Sequence, residues 1–521
     1  MQGHSRNKTT SFAAIFNNNV VLRKVLVVSF AFFALYVFRT ALVVSLDKTP
    51  PRWDHAQHLL ASLDYAEIIK KNNLSHLFTH YGYYYPPLVY ALMGFLVLLS
   101  GLNTTTTLVL NGFFLLFGLV GSYFFLQRVA GKTAALATAV FSMVFFLGFR
   151  IQNPPWWELM LEIPLVTTTL VAYCALYDAL TNKRHSVSVA FYLALLIVAS
   201  FLIKWSSVLF LVVPTVYYFL TTIRQSSIKA SIVYVITIGV LGLGWYSFHL
   251  SSLASDFYTQ QLALSVPQQK TPGADAALAY VVSFFQGGGW VATVSALLLF
   301  GSFVYAIKNT GGKNAARRAA PLYLVFTHAT WLIVLSFFAR FNDARYALPG
   351  YVVFISFGFL LFWKTIETRN AQIIGFVFLV AAMAWSLGRP FPITTDQPIL
   401  EKLTEIIKQN QTQTFAYFFE EETASFNFLN VRLMYKIQQQ KSAKRPYWFI
   451  NAPNNEEEAS EEDRTAHPDV LVVYSNKNPI GGGFFRDENL LAFYIPDFFI
   501  RYTEKESIET KDESLFLYKK R

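Results

Sequence analysis

Residues 86–101 read PPLVYALMGFLVLLSG. The run is apolar almost throughout, yet a helix needs roughly 20 apolar residues to cross a hydrocarbon core about 30 Å thick. How this short run is read decides the topology of everything after it. Longer apolar runs lie at 22–46, 105–127, 133–150, 162–181, 187–203, 206–222, 230–250, 279–306, 320–338, 346–363 and 372–388. They predict about eleven membrane-spanning helices. With 86–101 read as a non-crossing helix at the outer interface and the N-terminus in the cytoplasm, the inner loops can be checked for charge. They hold Arg128 and Lys132; Lys183 and Arg184; Arg224 and Lys229; Lys308, Lys313, Arg317 and Arg318; and Lys364 and Arg369. The N-terminal segment adds Arg6, Lys8, Arg23 and Lys24. Every inner loop is basic, as orientation in a membrane requires. Counting 86–101 as a span would put the same clusters outside.

Composition agrees. Of 521 residues, 54% are hydrophobic and 14% charged, where soluble domains carry about a quarter charged. The net charge of +11 does not point to nucleic acid, because the Lys and Arg fall in short clusters between apolar runs. The single cysteine, Cys174, lies inside an apolar run. It excludes intramolecular disulfides and cysteine-rich metal sites. The first apolar run is read as a retained helix and not a cleaved signal, since no small-residue cleavage site follows a short apolar core.

The fold expected is a polytopic α-helical membrane protein with a C-terminal soluble α/β domain. Its parts are a cytoplasmic N-terminus (1–21), a transmembrane domain (22–389) with an outer loop at 47–104, and an extracytoplasmic domain (390–521). The last part has strand-like runs at 414–419, 447–450, 470–474, 491–494 and 515–518, a helical stretch near 424–438, and an acidic loop at 456–463. The localisation expected is a multi-pass protein of a bacterial plasma membrane, with the active site and the C-terminus outside.

The predicted outer face gathers ionisable residues. Asp54 ends the first span and opens an amphipathic stretch in which positions 54, 58, 62 and 65 share a helical face. Glu162 stands where NPPWWELMLEIPL (153–165) re-enters the membrane, with Glu158 as a competitor for its role. Two acids meeting at a polar pocket can activate a hydroxyl nucleophile and steer an acceptor. The plainer reading of each is an N-cap or a first-turn acid. Lys204, Arg340 and Arg345 lie in very short turns between spans, and Arg150 precedes the Pro-Pro-Trp-Trp loop. Such cations suit a phosphate; snorkelling to headgroups is the better explanation of any single one, whereas Lys204 and Arg345 together favour a phosphate. His55 and His58 flank the acid; hydrogen bonding to Asp54 or to a sugar hydroxyl is favoured over metal binding. No cofactor is expected, and a divalent metal is not favoured. QGGGW (286–290) follows no strand, so it is a flexible turn or a close helix approach and not a phosphate loop. Trp53, Trp156, Trp157 and Tyr83–Tyr85 suit sugar stacking or interfacial anchoring.

The layout resembles the large membrane glycosyltransferases of the C-type fold, in the branch of the protein O-mannosyltransferases and the lipid A aminoarabinose transferases. The resemblance rests on the acid after the first helix, YYYPPL (83–88), LEIPL (161–165), FLIKW (201–205) and ARYALPGY (344–351), and covers roughly residues 20–390. It implies an inverting transfer of sugar from a polyprenyl-phosphate donor to a lipid, glycan or protein acceptor. Asp54 would be the base on the acceptor, Glu162 the second acid, and Lys204 with Arg345 would face the phosphate leaving group. Two departures stand out. Asp54 is followed by His55, where the family often has another acid. Tyr85 precedes the Pro-Pro pair, where the aminoarabinose branch has Lys.

Three alternatives compete. A transporter would bury ionisable groups at mid-membrane; His328 is the clearest such residue here, while Asp178, Glu162 and Lys204 sit at the ends of spans. A non-catalytic scaffold would have no use for acids and cations at one boundary. An oligosaccharide ligase or a flippase-type polysaccharide exporter would share the layout.

Overall fold

The computed structural model describes residues 20–46, 53–73, 75–80, 85–149, 159–225, 227–252, 273–309, 324–325, 327–329, 332, 344–365, 369–390, 405, 415–419, 470–476, 502–509 and 513–520. The helices are α1 (Val20–Leu46), α2 (Trp53–Lys70), α3 (His76–Thr79), α4 (Leu88–Ser100), α5 (Thr104–Ala130), α6 (Lys132–Gly148), α7 (Glu162–Thr181), α8 (Val187–Phe201), α9 (Ser207–Arg224), α10 (Ile228–Thr237), α11 (Leu243–Phe248), α12 (Gly273–Asn309), α13 (Leu348–Thr365) and α14 (Arg369–Gly388). A π-helical turn, Ile238–Gly242, joins α10 to α11, and a 3-10 turn, Ala344–Ala347, leads into α13. Contacts divide the chain into two compact units. One is Met1–Leu42 with Ser62–Phe391; the other is Val43–Ala61 with Pro392–Arg521.

Among the described residues, seven helical segments are long and apolar enough to cross a membrane, and four shorter apolar helices accompany them. This is an integral membrane protein. The expected spans at 133–150, 187–203 and 372–388 coincide with three of the shorter helices. Most of the expected span at 320–338 lies outside the described residues. The run at 86–101 forms α4, of 13 residues. At 1.5 Å per residue α4 is about 20 Å long, too short to cross alone.

Burial separates a centre from a periphery. The hydrophobic window of α7 is 94% buried, and that of Ala344–Trp363 is 89% buried. The other long segments are only 28–33% buried and turn apolar faces outward. A helix apolar on every side belongs in the middle of a bundle. Glycines let a peripheral helix reach α7. A Cβ on Gly118 or Gly121 of α5 would lie 2.9 or 2.8 Å from the Thr167 or Val171 side chain, so only small residues permit this approach. The expectation of a close helix approach at 286–290 is met in the same way. A Cβ on Gly287 would lie 2.4 Å from the Phe149 ring. Gly289 breaks the helix at φ 55°, a conformation that glycine adopts without strain.

Pro214 inside α9 cannot donate to the carbonyl four residues back, that of Phe210. The Tyr173 hydroxyl of α7 donates to that carbonyl at 2.6 Å. Its proton being committed, Tyr173 accepts from His328 Nδ1 at 3.0 Å, which assigns the Nδ1–H tautomer. The His328 ring stacks on Phe210 at 5.3 Å. The histidine that sequence marks as the mid-membrane ionisable group therefore hydrogen-bonds the tyrosine that satisfies a proline break.

The second unit contains a four-stranded sheet: β1 (Phe415–Phe419), β2 (Val470–Asn476), β3 (Tyr502–Glu509) and β4 (Glu513–Lys520), in the order β1-β2-β4-β3. β1 pairs parallel with β2, with Phe415 opposite Val470; β4 pairs antiparallel with both β2 and β3. The expected strands at 414–419, 470–474 and 515–518 correspond to β1, β2 and β4. β3 was not expected, because TEKESIE has no apolar run to mark it. The expected strands at 447–450 and 491–494, and the helix near 424–438, lie outside the described residues.

Candidate active site at the ends of the central helices

Glu162 is the first residue of α7, where a carboxylate is favoured by the helix dipole. It is 3% exposed, and so deep an acid is expensive unless paired. Its partner is Lys204, whose Nζ donates to Glu162 Oε1 at 2.7 Å. Lys204 is also buried, at 5% exposure.

The turn that carries Lys204 links α8 to α9 and is anchored on two sides. The Tyr246 hydroxyl donates to the Phe201 carbonyl at 2.6 Å. The Leu88 amide donates to the Leu202 carbonyl at 3.0 Å. The second bond follows from sequence: Pro86 and Pro87 have no N–H, so Leu88 supplies the first donor of α4. By docking there, Leu88 brings the preceding Tyr85 to the ammonium. The Tyr85 ring lies 5.3 Å from Lys204 Nζ. The Tyr346 ring, from the 3-10 turn before α13, lies at the same distance. Two aromatic faces and one carboxylate thus enclose one cation. Burial is the largest single influence on the Lys204 ammonium and acts to lower its pKa. Glu162, Tyr85 and Tyr346 together outweigh it, and the pKa lies above the ordinary lysine range.

Four segments far apart in sequence therefore meet: residue 85, residue 162, residue 204 and the turn at 344–347. Of the expected site residues, Glu162, Lys204 and Tyr85 are in direct contact. Arg345 is half-buried beside Tyr346 in the same turn. Asp54 lies in the first turn of α2, and its side chain is outside the described residues. His55 and His58 are buried on α2, in the 43–61 segment assigned to the second unit. His58, Ser62 and Tyr65, which share a helical face with position 54, are all buried. Arg150, Trp157, Glu158 and Arg340 lie outside the described residues, as do Trp156, Tyr83 and Tyr84. Among the described residues, no group of three or more His, Cys, Asp or Glu side chains is placed to hold a metal ion.

Two features were not read from the sequence. Lys204 and Glu162, expected as a phosphate-facing cation and a second acid, are also each other's partners. Tyr346 was missed; its only signal was its place beside Arg345 in a short turn between apolar runs.

Two solved structures of ArnT from Cupriavidus metallidurans are similar to this chain. The structure in the apo state is 13% identical, with a TM-score of 0.43 over 94% of this chain and 98% of that one. The structure bound to undecaprenyl phosphate is 13% identical, with a TM-score of 0.41 over 98% of each chain. Scores of this size record a likeness and assign no reaction. No family model matches the chain, and no curated protein does.

Proposed function

We propose that the protein is an inverting glycosyltransferase that moves a sugar from a polyprenyl-phosphate donor to an acceptor at the outer face of the membrane. The observation that carries this reading is the caged pair Glu162–Lys204, assembled at one end of the two buried central helices from YYYPPL, LEIPL, FLIKW and ARYALPGY. These are the stretches in which the sequence resembles the C-type glycosyltransferases.

The chemistry assigns each residue a task. Asp54 accepts the proton of the acceptor hydroxyl. The oxygen so activated attacks the anomeric carbon from the face opposite the phosphate. The bond from that carbon to the phosphate oxygen breaks, its electron pair leaves with the phosphate, and the configuration inverts. The polyprenyl phosphate departs with one more negative charge. Lys204 and Arg345 neutralise that charge. Glu162 holds the Lys204 ammonium charged and in place until a phosphate shares it. Tyr85 stands where the aminoarabinose branch has a lysine, so Lys204 takes over the point charge that residue would supply.

The test uses purified protein in lipid with a panel of radiolabelled polyprenyl-phosphate sugars. Wild type is expected to release or transfer sugar from one donor. Asp54→Asn is expected to lower that rate by about 10²- to 10⁴-fold, the usual range for a lost general base, while still binding the donor. Neither binding nor release with any donor would sink the reading.

A further inference from the structure

A second feature lies away from the Glu162–Lys204 pair. A groove of about 1020 Å³ runs between α5, α7 and α8, at the upper end of the volumes that ligand pockets reach. Its walls are hydrocarbon, including Phe117, Val120, Val171, Leu193 and Leu196. The polar groups collect at one end, where Arg128, Arg184 and Asp178 line it. Asp178 is 2% exposed. It accepts from Arg128 Nη1 at 3.0 Å and from Asn182 Nδ2 at 2.6 Å, and Arg184 Nη1 lies 3.9 Å away. The Arg128 guanidinium also lies over the Phe124 ring, 4.0 Å from its centroid. Two guanidiniums against one carboxylate leave this end with a net positive charge. Both arginines stand at the ends of apolar helices, at the level of a bilayer headgroup.

The geometry points to a binding site for an anionic phospholipid, its acyl chain in the groove and its phosphate on Arg128 and Arg184. Charge and shape select this occupant together. A water-soluble phosphate has no use for an apolar groove, and a zwitterionic lipid brings no net charge to the arginines. Arg128 is held in advance by the Asp178 carboxylate and the Phe124 ring, so little side-chain freedom is lost when the phosphate arrives. The basic-loop pattern puts this end in the cytoplasm, so the lipid comes from the inner leaflet, across the membrane from the proposed transfer site. It braces α8 against α5, and the far end of α8 runs into the turn that carries Lys204.

Native mass spectrometry of the purified protein, titrated with dioleoyl phosphatidylglycerol or dioleoyl phosphatidylcholine, tests the site. The wild type is expected to retain one phosphatidylglycerol about tenfold more readily than phosphatidylcholine, whose choline cation offsets its phosphate, the scale of the attraction of an arginine at the membrane surface for an anionic lipid. Arg128→Gln with Arg184→Gln is expected to erase that preference. Ser188→Trp, which puts a ring into the groove four residues along from Arg184 and leaves both arginines intact, is expected to weaken phosphatidylglycerol binding about tenfold with an unchanged melting temperature. Glycerol phosphate is expected neither to bind nor to compete. Competition by glycerol phosphate, or a preference that survives the arginine variants, would overturn the proposal. Should the arginine variants fail to fold, undiminished phosphatidylglycerol binding by Ser188→Trp overturns it alone.

Discussion

Lys204 Nζ donates to Glu162 Oε1 at 2.7 Å, and both side chains are buried. Removing one partner strands a buried charge, which costs about 3–5 kcal/mol, whereas replacing both by apolar groups is often neutral. Glu162→Leu and Lys204→Met are each expected to lower unfolding stability in detergent by that amount. The double variant is expected to regain most of the stability and none of the sugar transfer. Recovery of transfer in the double variant would mean that the pair serves packing alone.

The raised Lys204 pKa has a definite consequence for pH. A folded-state value above the ordinary 10.5 means that the stabilisation is fully present below about 10.4, the unfolded value. It is lost only as pH rises through the still higher folded value. Between about pH 5 and pH 9 the ammonium therefore adds no slope to stability. Thermal unfolding of wild type and of the Glu162→Leu, Lys204→Met double variant, which strands no charge, is expected to differ by a constant offset across that range. A difference that grows steadily from pH 7 to pH 9 would show that the ammonium titrates early.

The Tyr346 ring lies 5.3 Å from Lys204 Nζ, within reach of a cation–π contact. Tyr346→Phe keeps that ring and is expected to leave stability within about 0.5 kcal/mol of wild type. Tyr346→Ala removes it and is expected to cost about 2 kcal/mol, the scale of a desolvated cation–π contact. Unfolding curves for the two variants make the comparison. Equal losses would assign the effect to the hydroxyl.

Tyr173 and Pro214 form a testable pair because one compensates for the other. Tyr173→Phe leaves the Phe210 carbonyl without its hydroxyl donor and is expected to cost about 1–3 kcal/mol. In a Pro214→Ala background the helix supplies its own N–H to that carbonyl. There Tyr173→Phe is expected to cost less by about 1 kcal/mol, read as a coupling energy in a double-mutant cycle. Strict additivity would show that the hydroxyl serves His328 instead.

What the sequence by itself determined was whatever repeats along the chain. Apolar length marked the helices, from Val20–Leu46 to Arg369–Gly388, and 86–101 was recognised as too short to cross because helix length per residue is fixed. The ionisable residues at helix ends were legible one by one, as Glu162 and Lys204 show. Which of them touch was not legible, because contact depends on how helices far apart in sequence pack. The Glu162–Lys204 pair exists only because α7 lies at the centre and two prolines leave Leu88 to dock on the Lys204 turn. Tyr346 enters the same cage from more than a hundred residues away. The groove ending at Arg128 and Arg184 also has no local signature, for each arginine alone reads as an inner-loop charge. Periodicity is a property of one segment; a site is a property of the packing between segments.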